Sequence, residues 1–182
     1  MPEYRRARSL GATFFFTVNT HLRQPFLIDA DVRAALREGI DRVRSTMPFQ
    51  IDAWVLLPDH IHCVWTLPDG DADFSSRWRI IKTIVTQQCG PRLNVSEMLS
   101  DRRKQKNQSS LWQQRFWEHQ IRDEEDWRRH MDYIFFNPVK HGYVSRVRDW
   151  KFSTFENAVA KGWYDLTWGS SALDSIFGME LE

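Results

Sequence analysis

The stretch FQIDAWVLLPDHIHCVWTLP, residues 49–68, reads as two strands folded back on each other. Both halves are rich in β-branched and aromatic residues, which suit a pleated, packed surface. Pro58-Asp59 between them is a turn signal, because proline presets φ and aspartate bonds its own backbone. The segment is therefore a hairpin or a close return. In the second half, His60 and His62 are two residues apart, so they leave the strand on one face while Ile61 and Cys63 leave on the other. Two imidazoles aimed together suit one divalent cation, and Cys63 is excluded as a third ligand. A chance pair on a solvated sheet face is an equally good reading of His-x-His taken alone.

Working outward, ATFFFTVNT (residues 12–20) reads as a further strand. DADVRAALREGIDRVRS (residues 29–45) places Val32, Leu36, Ile40 and Val43 on one helical face. Asp29 or Asp31 suits its amino-terminal cap, and Met47-Pro48 marks its end. After the hairpin, DGDAD breaks the pattern. FSSRWRIIKTIVTQQCG (residues 74–90) then lines up Phe74, Trp78, Ile81 and Val85 and closes on Gly90. A polar stretch containing DRRKQKNQSS precedes LWQQRFWEHQIR, read as a strand over residues 111–122. A last helix opens with the acids Asp123 to Asp126, which favour a helix amino terminus. From Ser145 onward regular signals are few. The order β-α-β-β-α-β plus one helix predicts an α+β, ferredoxin-like fold. Its sheet is antiparallel with helices on one face, and one extra helix follows at the carboxyl-terminal end.

With 182 residues, 42% hydrophobic and 27% charged, the chain has the composition of one globular domain. Residues 162–182 hold four acids (Asp165, Asp174, Glu180, Glu182) and no Lys or Arg. Removing them from the net charge of +1 leaves +5 for residues 1–161. The expectation is a single domain over 1–161, an acidic tail over 162–182, and a polyanionic partner for which the tail competes. Two cysteines without a CxxC pair, and an amino terminus without a membrane-length apolar run, point to a cytoplasmic protein.

The last helix supplies further groups. His130, Tyr133, Asn137 and His141 follow one another at three, four and four residues, a single helical stripe. A carboxamide oxygen can ligate a hard cation, and a phenol beside a cation can act as a nucleophile. Spacing alone favours the plainer readings, a core tyrosine and a helix-terminal asparagine. Pro138 disfavours helical backbone at Asn137, so the helix is expected to end or kink there.

Three segments taken together carry a resemblance: residues 54–82, residues 115–144 (RFWEHQIRDEEDWRRHMDYIFFNPVKHGYV) and residues 149–155 (DWKFSTF). The chain resembles the REP-associated tyrosine transposases, bacterial members of the His-hydrophobic-His (HUH) nucleases, from about Tyr4 to Tyr164. That resemblance implies a ferredoxin-like fold and His60 and His62 as metal ligands. It implies Tyr133 as the nucleophile, Asn137 as the polar group completing the site, and Mg²⁺ or Mn²⁺ as the ion. The implied substrate is single-stranded DNA beside a repetitive extragenic palindrome hairpin, cleaved and rejoined through a 5′-phosphotyrosine. A nucleoid-associated location follows, with monomer and homodimer both open. Two alternatives are a non-cleaving binder of structured single-stranded DNA and a hydrolase using water, for which Asp59 is the nearest carboxylate.

For DNA contacts the sequence offers Arg5, Arg6 and Arg8, then Arg77, Arg79 and Lys82 on the second helix, and Arg102, Arg103 and Lys104 in the basic stretch. Trp112, Phe116 and Trp117 are candidate platforms for unpaired bases. His119, His130 and His141 compete as the proton acceptor for Tyr133.

Overall fold

A computed structural model describes residues 10–93 and 111–169. Strand β1 (Thr13–Asn19) leads through a 3-10 turn into helix α1 (Ala30–Thr46). Strands β2 (Gln50–Leu56) and β3 (His60–Thr66) form the hairpin, followed by helix α2 (Phe74–Cys89), strand β4 (Trp117–Gln120) and helix α3 (Glu124–Lys140). A 3-10 turn (Val147–Asp149) and a short helix α4 (Phe155–Ala160) end the described chain. The sheet order is β2-β3-β1-β4 with every neighbour antiparallel. Each crossover, β1-α1-β2 and β3-α2-β4, leaves one strand in between. This is the split ferredoxin-like arrangement expected.

The expected strand over 111–122 shrinks to four residues, preceded by an isolated bridge between Thr20 and Trp112. Helix α2 is capped by the Asp73 carboxylate, which accepts from the Ser76 amide. In α3 the Asp123 side chain accepts from the Asp126 amide. Contrary to the expected break at Asn137, α3 runs on to Lys140 with Pro138 inside it. Proline is tolerated there because it falls in the last turn. The missing N–H costs one bond, and the end is closed by the His141 amide on the Asn137 carbonyl at 3.0 Å. Gly142 at φ +72° then turns the chain away, a conformation that a Cβ disfavours.

Period-two alternation assigns the strands to two cores. Phe14, Phe16, Val18, Ile61, Cys63 and Trp65 face α1 and α2, with Trp65 stacked on Trp78 at 4.3 Å. Phe15, Ala53, Val55 and Val64 face α3 and α4. Both faces of the sheet are covered, so β1 carries three consecutive fully buried phenylalanines. Just past Lys161, Tyr164 and Trp168 also pack against the second core. The remaining residues of the expected tail, 170–182, lie outside the described residues.

Candidate active site

The hairpin places His60 and His62 on the sheet face that α3 covers. Their rings sit 4.7 Å apart between centroids and both are fully buried. Each imidazole has its Nδ1 engaged. That of His60 meets the Asp59 carboxylate at 2.7 Å, and that of His62 meets the Thr17 hydroxyl at 2.9 Å from the neighbouring strand. With Nδ1 held this way, Nε2 is the atom each ring turns inward. Both Nε2 atoms are buried without a hydrogen-bond partner among the described residues. Burial lowers the pKa of both rings, far more for His62, whereas the Asp59 hydrogen bond partly offsets the effect at His60. Both are therefore neutral at pH 7, the form that ligates a metal. Cys63 points away into the first core, where burial pushes its thiol up.

Helix α3 closes the site from above. Tyr133 meets His62 edge to face at 5.1 Å, and His141, capping the same helix, meets His60 at 5.4 Å. Asn137 lies midway between them on the same stripe, four residues from each. It is 1% exposed, and neither its amide nitrogen nor its oxygen has a partner among the described residues. Two buried imidazole nitrogens and a buried carboxamide without partners would be costly in an ordinary core. They fit the ligand set of one divalent cation. Lys140 holds its ammonium 5.1 Å from the Tyr133 ring centroid, which adds positive charge beside the phenol.

A second cluster lies toward β4. His119 Nε2 meets the buried Asp126 carboxylate at 2.8 Å, and the Arg122 amide and guanidinium donate to the same oxygen. Burial alone would raise the Asp126 carboxyl. The hydrogen bonds from His119 and Arg122 outweigh it and hold the group well below the usual carboxylate range. His130 donates from Nδ1 to the Asp126 carbonyl at 2.7 Å and stacks on His119 at 4.7 Å. These three side chains are close enough to hold an ion. The carboxylate already accepts three N–H groups, however, and an arginine stands beside it. The cluster is better described as a clasp tying α3 to β4.

The expected stripe thus divides. Tyr133 and His141 meet the histidine pair, with Asn137 between them on the helix, whereas His130 turns toward the clasp. Thr17 was not found from sequence, because its role depends on the register that pairs it with His62. Arg23 was missed as well. It binds the second Asp59 oxygen at 2.7 Å and the Asn19 carboxamide at 2.6 Å, from a turn in which Leu22 and Arg23 both have positive φ.

Among the expected DNA contacts, Arg77 is corrected. It is fully buried, bonds Asp71 through two nitrogens, and donates to the Met47, Pro48 and Asp73 carbonyls. No donor is left facing solvent, so it is a structural anchor and cannot meet a phosphate. Arg79 is exposed, and Lys82 donates to the Gln113 carbonyl. Both belong to α2, across the sheet from the histidines. Arg5, Arg6, Arg8, Arg102, Arg103 and Lys104 lie outside the described residues. Among the described residues no helix is long and apolar enough to cross a membrane.

No protein-family model matches the chain. A curated relative from Escherichia coli (strain K12), a REP-associated tyrosine transposase, is 47% identical over 178 residues, 98% of this chain and 97% of its own. The chain belongs to that family. A second curated relative, from Haemophilus influenzae, is 37% identical over 171 residues, 94% of this chain and 95% of its own. A solved structure of a REP-associated tyrosine transposase bound to a REP hairpin is 47% identical, with a TM-score of 0.78. It covers 96% of this chain and 94% of that one. The α+β fold of this family member, with its antiparallel four-stranded sheet, matches that neighbour.

Proposed function

We propose that the chain cleaves and rejoins single-stranded DNA beside repetitive extragenic palindrome hairpins, in the cytoplasm, with Tyr133 as nucleophile. The observation that carries this reading is the meeting of Tyr133 with His62, itself beside His60, two buried histidines whose Nε2 atoms have no partner among the described residues. His60 and His62, with Asn137, would hold a divalent ion, Mg²⁺ or Mn²⁺. When bound, that ion supplies positive charge to polarise the scissile phosphate. The Asp59 carboxylate accepts from His60 Nδ1 and leaves its Nε2 free to ligate, and the Thr17 hydroxyl holds His62 by Nδ1 so that its Nε2 would be available to the same ion. The Tyr133 phenolic oxygen gives up its proton and forms a bond to phosphorus. The phosphorus–O3′ bond breaks, and the departing oxygen takes up a proton to become a 3′-hydroxyl. The DNA 5′ end is left esterified to the tyrosine, and attack by a 3′-hydroxyl reverses the step and rejoins a strand. Lys140 keeps positive charge beside the ring throughout.

Hydrolysis by water would need a free carboxylate base. Asp59 is already bound by both His60 and Arg23. A pure binder would have no use for the inward-facing nitrogens. The test is incubation with a labelled REP hairpin carrying single-stranded flanks, in Mg²⁺ or Mn²⁺. A denaturation-stable protein–DNA adduct is expected in the parent and none in Tyr133→Phe, which still binds the hairpin. Cleavage persisting in Tyr133→Phe would overturn the assignment.

A further inference from the structure

Trp117 is a large aromatic left 40% exposed at the start of β4, the edge strand on the β1 side of the sheet. Of the three aromatics considered as base platforms, Trp112 is buried in the first core and Phe116 packs against that core. Trp117 is turned instead toward the face that carries the site. Strand register places it directly across from Thr17, which in turn lies across from His62. The three residues form one row over three strands. At the usual strand separation, Trp117 stands about 10 Å from the His62 backbone.

The ring is also held in place. It lies almost parallel to His119, with centroids 5.9 Å apart and 8° between planes, and His119 lies on His130 at 4.7 Å and 15°. Asp126 fixes His119 by its Nε2, and the Asp126 carbonyl fixes His130. Phe15 meets the Trp117 ring at 5.6 Å and 71°, and the same Phe15 lies on His62. The other exposed aromatics among the described residues are placed differently. Trp163 has the Lys161 ammonium over it at 4.3 Å, and Tyr143, stacked on Trp150, meets His141 beside His60 and has no place in the Thr17–His62 row. A flat ring, backed by two stacked imidazoles and aligned with a phosphate-handling site, is preorganised to receive another flat ring.

We propose that Trp117 is a stacking platform for one unpaired nucleobase of the single strand, next to the phosphate that Tyr133 attacks. This rests on the functional reading above and adds the subsite that seats the strand. Because every base offers a π face, the platform fixes position along the strand rather than base identity.

The test separates the two claims. Full-length Tyr133→Phe protein, which cannot trap the strand covalently, is titrated without metal against REP hairpins with single-stranded flanks. Each flank nucleotide is replaced in turn by an abasic residue. One position near the cleavage point is expected to weaken binding roughly 5- to 150-fold, the range for removing one stacked base. Adding Trp117→Ala weakens binding to intact DNA by a similar factor and erases the loss at that position alone. Trp117→Phe, which keeps a flat ring and guards against a merely misfolded alanine variant, retains most of the affinity and the abasic penalty. Identical abasic profiles with and without Trp117 would overturn the platform even if the adduct assay succeeds. A parent chain that binds no single strand removes the functional reading and the platform together.

Discussion

Asp59 shows how much one side chain adjoining a site can decide. One oxygen accepts from His60 Nδ1 and the other from Arg23, so the carboxylate orients the imidazole and is itself held in place. Outer partners of this kind usually change metal affinity by about 10- to 100-fold. Asp59→Ala is therefore expected to weaken Mn²⁺ binding, measured by titration calorimetry, by about that factor. Thr17→Val tests the matching contact at His62. Unchanged Mn²⁺ affinity in Asp59→Ala would mean that the strand alone orients His60. The pair itself was legible in the sequence because His-x-His on a strand needs only the period of two. Its supports were less so. Asp59 is adjacent and visible, whereas Thr17 is reached only through the pairing of β1 with β3.

At the scale of elements, α2 corrects a reading based on charge alone. Arg77 sits three residues from Phe74 and four from Ile81, on the helix's inner face, and so it is buried. Its guanidinium joins Asp71, before the helix, to the end of α1 through the Met47 and Pro48 carbonyls. Arg77→Ala is expected to cost roughly 3 kcal/mol of stability, read from urea unfolding, because those acceptors lose their donor. Arg79→Ala, on the exposed face, should leave stability within about 0.5 kcal/mol. An arginine variant at 77 as stable as the parent would contradict the anchoring role. Both arginines look alike in a charge count, and only the helical phase set by Phe74, Trp78 and Ile81 tells them apart. The same phase argument brought Tyr133 and Asn137 together. It also put His130 with them, because a stripe drawn on an isolated helix cannot show that β4 draws one member aside.

The described residues form a sheet clad on both faces, with the buried histidines His60, His62 and His130 between the sheet and α3. That cladding follows from the burial of Phe14, Phe15 and Phe16 alike, a run that alternation alone would not assign to two cores. It also gives the fold a pH dependence with a definite sign. Burial lowers the pKa of His130 below its ordinary 6.5, partly offset by its bond to the Asp126 carbonyl. The charged groups around it are His119 on β4 and Asp126 and Arg129 on its own helix. As pH falls through about 6.5, the unfolded chain binds a proton at this residue and the folded chain does not. Stability is therefore complete above that pH and declines below it, by at most about 1.4 kcal/mol per pH unit from this group, until the folded ring also protonates. His60 and His62 act in the same direction, so the contribution of His130 must be isolated by difference. Urea unfolding of the parent and of His130→Phe, at pH 7.5, 6.5 and 5.5 with a chelator present, does so. Phenylalanine keeps a flat ring between His119 and Phe15 but takes up no proton. The parent's stability should fall more steeply below pH 6.5 than that of the variant. Parallel pH profiles would mean that His130 protonates as readily in the folded protein as in the unfolded chain, and that burial does not hold it neutral.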